Sequence, residues 1–201
     1  MTTKTKKTLE KIVHDLANMD YIRTSDVPEI QLYMDQVTTF MDARLASTKR
    51  GEEDKVLTKT MINNYAKNHL LPPPDRKKYS KEHMLILIFI YYFKSILSIR
   101  DIDKILKPIT DRYFNGKGAI TITEIYQEVS TNQSRKVMRE ETSIEGALKL
   151  AENTFTDVPA EDQEYLQIFS LICSLSFDVY MKKIFIEKII DQFSPAPDEK
   201  K

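Results

Sequence analysis

The chain is short of the residues that many site chemistries require. Its 201 residues include 1 cysteine, 4 glycines and no tryptophan. With Cys173 alone, no internal disulfide and no cysteine-based zinc cluster can form. Lying in an apolar run, that thiol is expected to be buried and structural, in a reducing compartment. So few glycines exclude the clustered Gly turns on which Rossmann and P-loop phosphate sites depend. The formal net charge is zero, so no global field draws the protein to nucleic acid, and any such binding must come from a local patch. The longest unbroken apolar run, Met84 to Phe93, is well short of the about 20 residues that a bilayer span needs. The N-terminal stretch has lysines but no apolar signal core or small-residue cleavage site, so a cytoplasmic protein is expected.

Catalytic signatures are missing too. His14, His69 and His83 are scattered, with no carboxylate or thiol at ligand spacing, so structural or surface roles are expected for each. Acidic pairs such as Glu140-Glu141 and Glu161-Asp162 fall beside expected helix ends, where the helix dipole or solvation accounts for them. No Gly-x-Ser-x-Gly elbow frames a nucleophile. The expectation is a non-enzyme without cofactor or metal.

What is present is helical periodicity. Leu9, Ile12, Val13 and Leu16 set a first amphipathic helix over about 4 to 19. Asp26-Val27-Pro28-Glu29 reads as a helix start, with Ile30, Tyr33, Val37, Met41 and Leu45 following inward to about Ala46. After the charged loop Lys49 to Lys55, a short polar helix is expected over Thr58 to Asn68. Pro72-Pro73-Pro74 then forces an extended excursion, closed by Asp75-Arg76-Lys77-Lys78-Tyr79 with Ser80 as the next N-cap. The helix from Lys81 to Ser95 is apolar on every face and must be surrounded. Ser98 starts another, with Ile99, Ile102, Ile105 and Leu106 inward and Pro108 as its end. Asn115-Gly116-Lys117-Gly118 marks a candidate domain boundary. Beyond it, capping boxes at Thr121 to Glu124 and Thr142 to Glu145 predict helices near 122 to 140 and 143 to 153. Val158-Pro159-Ala160-Glu161 opens a last, long helix, apolar on more than one face, that is either a bundle core or a subunit interface. The fold class is all-α.

Residues 57 to 83 concentrate the charge. Lys59, Lys67, Arg76, Lys77, Lys78 and Lys81 stand against Asp75 and Glu82, a local +4 on a neutral protein. Counterion release makes such a patch the basis of phosphate binding. Thr60, Asn63 and Asn64 add donors and acceptors for base edges on the exposed face of the short helix. Tyr79 suits either the backbone of a duplex or an inward position.

The string LTKTMINNYAKNHLLPPPDRKKY, with a following helix and SIRDIDKIL, resembles the winged helix-turn-helix of MerR-type transcriptional regulators. Tyr65 matches the family's helix Tyr. His69-Leu70-Leu71-Pro72 matches the turn into the wing, Arg76 to Tyr79 the wing, and Leu97-Ser98-Ile99 with Ile102 the entry of the last helix. The family's Arg beside that Tyr is replaced here by Asn63-Asn64. LYMDQV, LTKTMINNY and KKYSKEH resemble more closely a bacterial family designated domain of unknown function 1836, whose members are taken as regulators. The resemblance implies a winged helix-turn-helix-like N-terminal module over 26 to 113, after an N-terminal helix and connector over 1 to 25. The helical patterning beyond it gives a C-terminal helical bundle with a long final helix over 119 to 194, and residues 195 to 201 are expected to be a disordered tail.

The implied role is a transcription regulator. Lys59, Thr60, Asn63, Asn64 and Lys67 would face double-stranded DNA in the major groove, while Arg76, Lys77, Lys78 and Tyr79 grip its backbone. A homodimer and an unidentified effector are the implied partners, with no membrane. The alternatives are a protein-interaction adaptor on the same fold, or a ligand sensor with an apolar pocket among residues 119 to 193.

Overall fold

The computed structural model of the protein describes residues 1–17, 21–131 and 133–193. Among these the chain is all-α apart from one pair of two-residue strands. In chain order the elements are α1 (Thr3–Ala17), β1 (Leu32–Tyr33), α2 (Met34–Arg44), α3 (Lys59–Lys67), β2 (Lys78–Tyr79), α4 (Lys81–Phe93), α5 (Ile99–Tyr113), α6 (Ile122–Thr131), α7 (Gln133–Glu152) and the long α8 (Ala160–Phe193). No helix among the described residues is long and apolar enough to cross a membrane. The chain forms two compact units, one drawn from Met1–Tyr21 and Thr131–Phe185, the other from Ile22–Ser130 and Ile186–Lys201.

The second unit is built around α4. From His83 to Ile90 every side chain is buried, as a helix without a polar face requires. Val37 and Met41 of α2, Ile62 and Tyr65 of α3, Ile102 and Leu106 of α5, and Ile122 and Tyr126 of α6 complete this core. The Tyr126 hydroxyl, fully buried, donates to the Ile22 carbonyl at 2.6 Å. Its ring lies 5.2 Å from Phe89. That bond ties α6 to the first residue of the unit, so α6 belongs with the helices before it even though Asn115 to Gly118 intervenes. Lys94 closes the far end of α4, donating to the Val56 carbonyl at 2.8 Å, and burial holds its ammonium below the usual lysine range.

Three helix boundaries differ from the sequence expectation. Asp26 does not open a long helix. It ends a single 3-10 turn, Thr24–Asp26, where its carboxylate accepts the Arg23 N–H at 2.9 Å, and α2 begins only at Met34. The physical reason is tertiary: Leu32 and Tyr33 are held extended by pairing with Tyr79 and Lys78, which overrides helical periodicity, and Ile30 is left exposed. Pro108 does not end α5, which continues to Tyr113. The inward series Ile102, Leu106 and Thr110 at steps of four keeps the helix on the core, and the Thr110 hydroxyl turns back to the Lys107 carbonyl at 3.1 Å. Ile99 is exposed rather than inward. The capping box at Thr121 works as expected: Glu124 accepts the Thr121 N–H at 2.7 Å, and those bonds from Thr121 hold its carboxyl below the usual range. The similar string at Thr142 lies inside α7, which runs from Gln133 to Glu152.

In the first unit α1 packs on α7, with Lys6 paired to Glu152 at 3.0 Å. Its core is thin: Val13, Ala151, Gln167 and Leu171 are its buried described residues. The buried Gln167 amide donates to the Glu152 and Thr154 carbonyls at 2.8 and 3.1 Å, joining α7 to α8. Glu164 accepts from the Thr2 hydroxyl at 2.7 Å, and hydrogen bonds from the Thr5 and Thr2 side chains draw its carboxyl down to about 2. Cys173 is exposed. The expectation of a buried thiol fails because Cys173 lies on the side of α8 away from the buried Gln167 and Leu171. The expected disordered tail lies outside the described residues.

Replacing Tyr126 by Phe leaves the Ile22 carbonyl buried without its donor. It is expected to lower unfolding stability by about 1–2 kcal/mol, read as a shift of the urea midpoint at unchanged slope.

Candidate nucleic-acid interface

The α3 helix is short and capped at its start. The Thr58 hydroxyl accepts the Met61 N–H at 3.2 Å. Ile62 and Tyr65 face the core, and burial pushes the Tyr65 phenol up. At about 100° per residue, the other side of the helix carries Lys59, Thr60, Asn63, Asn64 and Lys67 in one arc, all exposed. The structure thus brings together the five helix residues expected from the sequence.

The helix stops at His69, whose φ of 61° is left-handed. This lets the Leu70 and Leu71 N–H groups return to the Tyr65 carbonyl at 2.9 and 3.2 Å. Both leucines are then buried, and the three prolines lead outward. The chain reverses over Asp75 to Lys78, where the Lys78 N–H donates to the Asp75 carbonyl at 2.8 Å. Arg76 and Lys77 occupy the two central positions, with φ of 47° and 65°. Positive φ at both positions is the signature of a type I′ turn, which favours Asn-Gly. A side chain with a Cβ is strained there by about 1 kcal/mol or more per residue. This hairpin tip therefore holds two long cations where conformational preference argues against them.

β2 then pairs antiparallel with β1, Leu32 opposite Tyr79 and Tyr33 opposite Lys78. Lys78 is half-buried and lies over the Tyr33 ring, 5.3 Å from its centroid. Only Arg76 and Lys77 extend freely from the tip. Tyr79 is a correction. Expected on the binding surface, it is buried, with its ring edge-on to His83 at 5.5 Å, because the strand pairing turns it away from Lys78 and into the unit. Burial also raises its phenol above the ordinary value.

His83 is the residue whose role the sequence left unassigned beyond a structural one. Its Nδ1 accepts the Ser80 N–H at 3.0 Å and lies 2.8 Å from the Ser80 hydroxyl. Its Nε2 faces the Pro73 carbonyl at 3.4 Å. Both contacts are satisfied together by the neutral ring with the proton on Nε2. Phe114 closes the other side, 4.8 Å away. One imidazole thus fastens the strand leaving the prolines to the start of α4, fixing both ends of the hairpin. The signal was present as Ser80-x-x-His83, a capping-box spacing with His in the usual Glu place.

Electrostatics divides the cations. Lys59 is ion-paired to Asp35, and Lys81 to Glu29. Both carboxylates are well exposed, and such pairs contribute little, about 0–1 kcal/mol, so a phosphate can displace them. Lys67, Arg76 and Lys77 have no carboxylate partner among the described residues. Glu52, Glu53 and Asp54, with Lys49 and Lys55, line an open cleft of about 710 Å³ that also touches Lys59 and Thr60. Asp35 carried no sequence signal, being far from Lys59 along the chain. Among the described residues no three His, Cys, Asp or Glu side chains are grouped to hold a metal ion.

Burial holds the His83 imidazole below its ordinary value of 6.5, so the folded state favours the neutral ring. The stability it contributes is complete above that value and is lost as pH falls through the depressed folded pKa. Thermal unfolding between pH 8 and 5 should show a decline that is shallower in His83→Gln. An equal decline in both proteins would remove His83 as its source.

A search of curated proteins finds no match, and neither does a search of solved structures. One sequence family does match, over residues 22–129, nearly the same span as the helical segment of the second unit, Ile22–Ser130. That span holds α3, the hairpin, its His83 fastening and the Tyr126 bond that closes the unit. By that match the chain belongs to the family described as Domain of unknown function (DUF1836).

Proposed function

We propose that the Ile22–Ser130 unit is a non-catalytic DNA-binding module of a transcription regulator, with α3 in the major groove and the hairpin on the adjacent backbone. The observation that carries this reading is the hairpin tip. Arg76 and Lys77 are held at positive φ on a turn whose two ends are fastened, and strain retained at a surface site points to a function that needs those side chains. The order of short polar helix, basic hairpin, buried helix and closing helix supports it, as this is the arrangement of the MerR-like winged helix-turn-helix heads that the sequence resembles. Asn63 and Asn64 offer paired donors and acceptors that suit the N6 and N7 of adenine, and Lys67 with the tip cations supplies phosphate contacts. The arginine that MerR-type helices place beside the tyrosine is absent, so the tip must supply more of the phosphate binding.

The test is duplex binding across a salt series. The slope of log affinity against log salt should fall by about 2 when Arg76 and Lys77 are both changed to Ala, with Lys78→Ala adding little because it lies over Tyr33. Arg76→Asn with Lys77→Gly should separate stability from binding. It relieves the turn and is expected to add roughly 1 kcal/mol to stability while weakening DNA binding as much as the alanine pair. Asp35→Asn should strengthen binding by releasing Lys59. A wild-type chain that binds no mixed-sequence duplex even at low salt ends this reading.

A further inference from the structure

We infer that Tyr33 is a further DNA-contacting residue of the Ile22–Ser130 unit, its hydroxyl donating to a phosphate oxygen where a duplex crosses from α3 to the hairpin tip. Lys78 is the residue that positions its ring. The inference depends on DNA binding by this unit and adds a contact to it. The pairing of β1 with β2 sets Leu32 opposite Tyr79 and Tyr33 opposite Lys78. Opposite residues of an antiparallel pair share a face, and neighbours along a strand alternate between faces. Leu32 and Tyr79 are both buried, while Tyr33 is 53% exposed. The short sheet therefore sends one tyrosine inward and presents the other to solvent beside the basic run. The aromatic contact expected of Tyr79 is thus open to Tyr33, which helical spacing alone places inward.

The surroundings of Tyr33 favour a phosphate as its partner. The Lys78 ammonium lies 5.3 Å from the centroid of the ring, a cation–π contact that holds the ring and puts positive charge beside it. Two residues on, Asp35 reaches Lys59 at the start of α3. Across the ladder, Lys78 adjoins the tip residues Arg76 and Lys77. Tyr33 thus stands between the reading helix and the tip, and a duplex that meets both must pass it. The carboxylates nearest in sequence do not oppose an anion here, because Asp35 is paired with Lys59 and Glu29 with Lys81. Gln36 is engaged as well: its side-chain oxygen accepts the Tyr33 N–H at 2.8 Å, fixing the backbone from which the ring projects. Among the described residues the Tyr33 hydroxyl has no hydrogen-bond partner. A phenol O–H is a neutral donor of the kind that positions a protein on phosphate oxygens. A ring already held by Lys78 loses little freedom when it binds.

Binding of a mixed-sequence duplex by the full chain across a salt series tests this. Tyr33→Phe keeps the ring and removes the donor, so affinity should fall about tenfold. The slope of log affinity against log salt should stay the same, because a neutral contact releases no counterion. That separates Tyr33 from Arg76 and Lys77, whose loss lowers the slope. Lys78→Ala should weaken binding several-fold in the wild-type chain and much less in the Tyr33→Phe background, as expected of a residue that acts through Tyr33. Since Tyr33 is exposed, helicity and the urea midpoint of Tyr33→Phe should match the wild type. The chain has no tryptophan, so Tyr33→Trp reports from that position alone, and duplex should shield its emission from acrylamide. The inference is overturned, with DNA binding left standing, if Tyr33→Phe binds like the wild type or alters the salt slope. Emission quenched equally with and without duplex overturns it too, as does an equal loss from Lys78→Ala in both backgrounds. A wild-type chain that binds no duplex at low salt overturns this inference and the DNA-binding reading together.

Discussion

A helix with no polar side has to be enclosed, and the burial of α4 is the constraint from which the rest of the Ile22–Ser130 unit follows. Eight consecutive buried residues from His83 to Ile90 leave no direction in which solvent is acceptable, so α2, α3, α5 and α6 supply the surrounding faces. Full burial of each aliphatic or aromatic side chain contributes roughly 1.5–3 kcal/mol. No polar contact in the unit approaches the sum of these, and the hairpin depends on them. Its two ends are fastened through His83 to the first turn of α4, so the position of a surface loop is set by a residue that belongs to the core.

The same dependence explains how strain persists at the hairpin tip. Two non-glycine residues at positive φ would relax in a free loop. Here the prolines before the tip, the pairing of β1 with β2, and the Ser80 and Pro73 contacts of His83 over-determine the path. The core thus supplies the stability that the tip gives up. The short pairing also uses the period of two: Lys78 lies over Tyr33 beside the solvent, and Tyr79 is sent inward. Adjacent residues of one basic run therefore have opposite roles, which charge counting alone does not distinguish.

Where sequence and structure agree, the cause is local. Ser98 and Thr121 cap the helices they were expected to cap, and Thr58, where α3 was expected to start, caps it, because such caps involve residues only three apart. The apolar run of α4 needed no partner to be recognised, and the exposed arc of α3 followed from helical spacing. Where they differ, a distant partner decides. Leu32 and Tyr33 have the spacing of a helix but are taken by a strand some 45 residues away, so Asp26 caps nothing long. Pro108 costs a hydrogen bond inside α5, yet Leu106 and Thr110 on either side of it remain in the core. His83 was visible as a histidine at a capping distance, while its hold on Pro73 was not. Asp35 beside Lys59, and the cleft residues Glu52 to Asp54, reach α3 only through the fold.

The two units apportion apolar surface in opposite ways, and this separates their physical roles. In the family-matched unit nearly every large apolar residue of α4 is consumed by the core. In the first unit the buried set is small, and α8 presents aromatic side chains to water. A period near 3.6 fixes which residues share a face but not which face meets a neighbour. The sequence of α8 was therefore compatible with a bundle core and with an interface alike. The distinction comes from Gln167, a polar residue buried at 2% exposure while Phe177 stands at 61%. A buried amide is tolerated because the Glu152 and Thr154 carbonyls satisfy it, and its bonds fix the rotation of α8. Once that rotation is set, Tyr165, Phe169 and Tyr180 lie on the side of α8 away from Gln167 and are exposed.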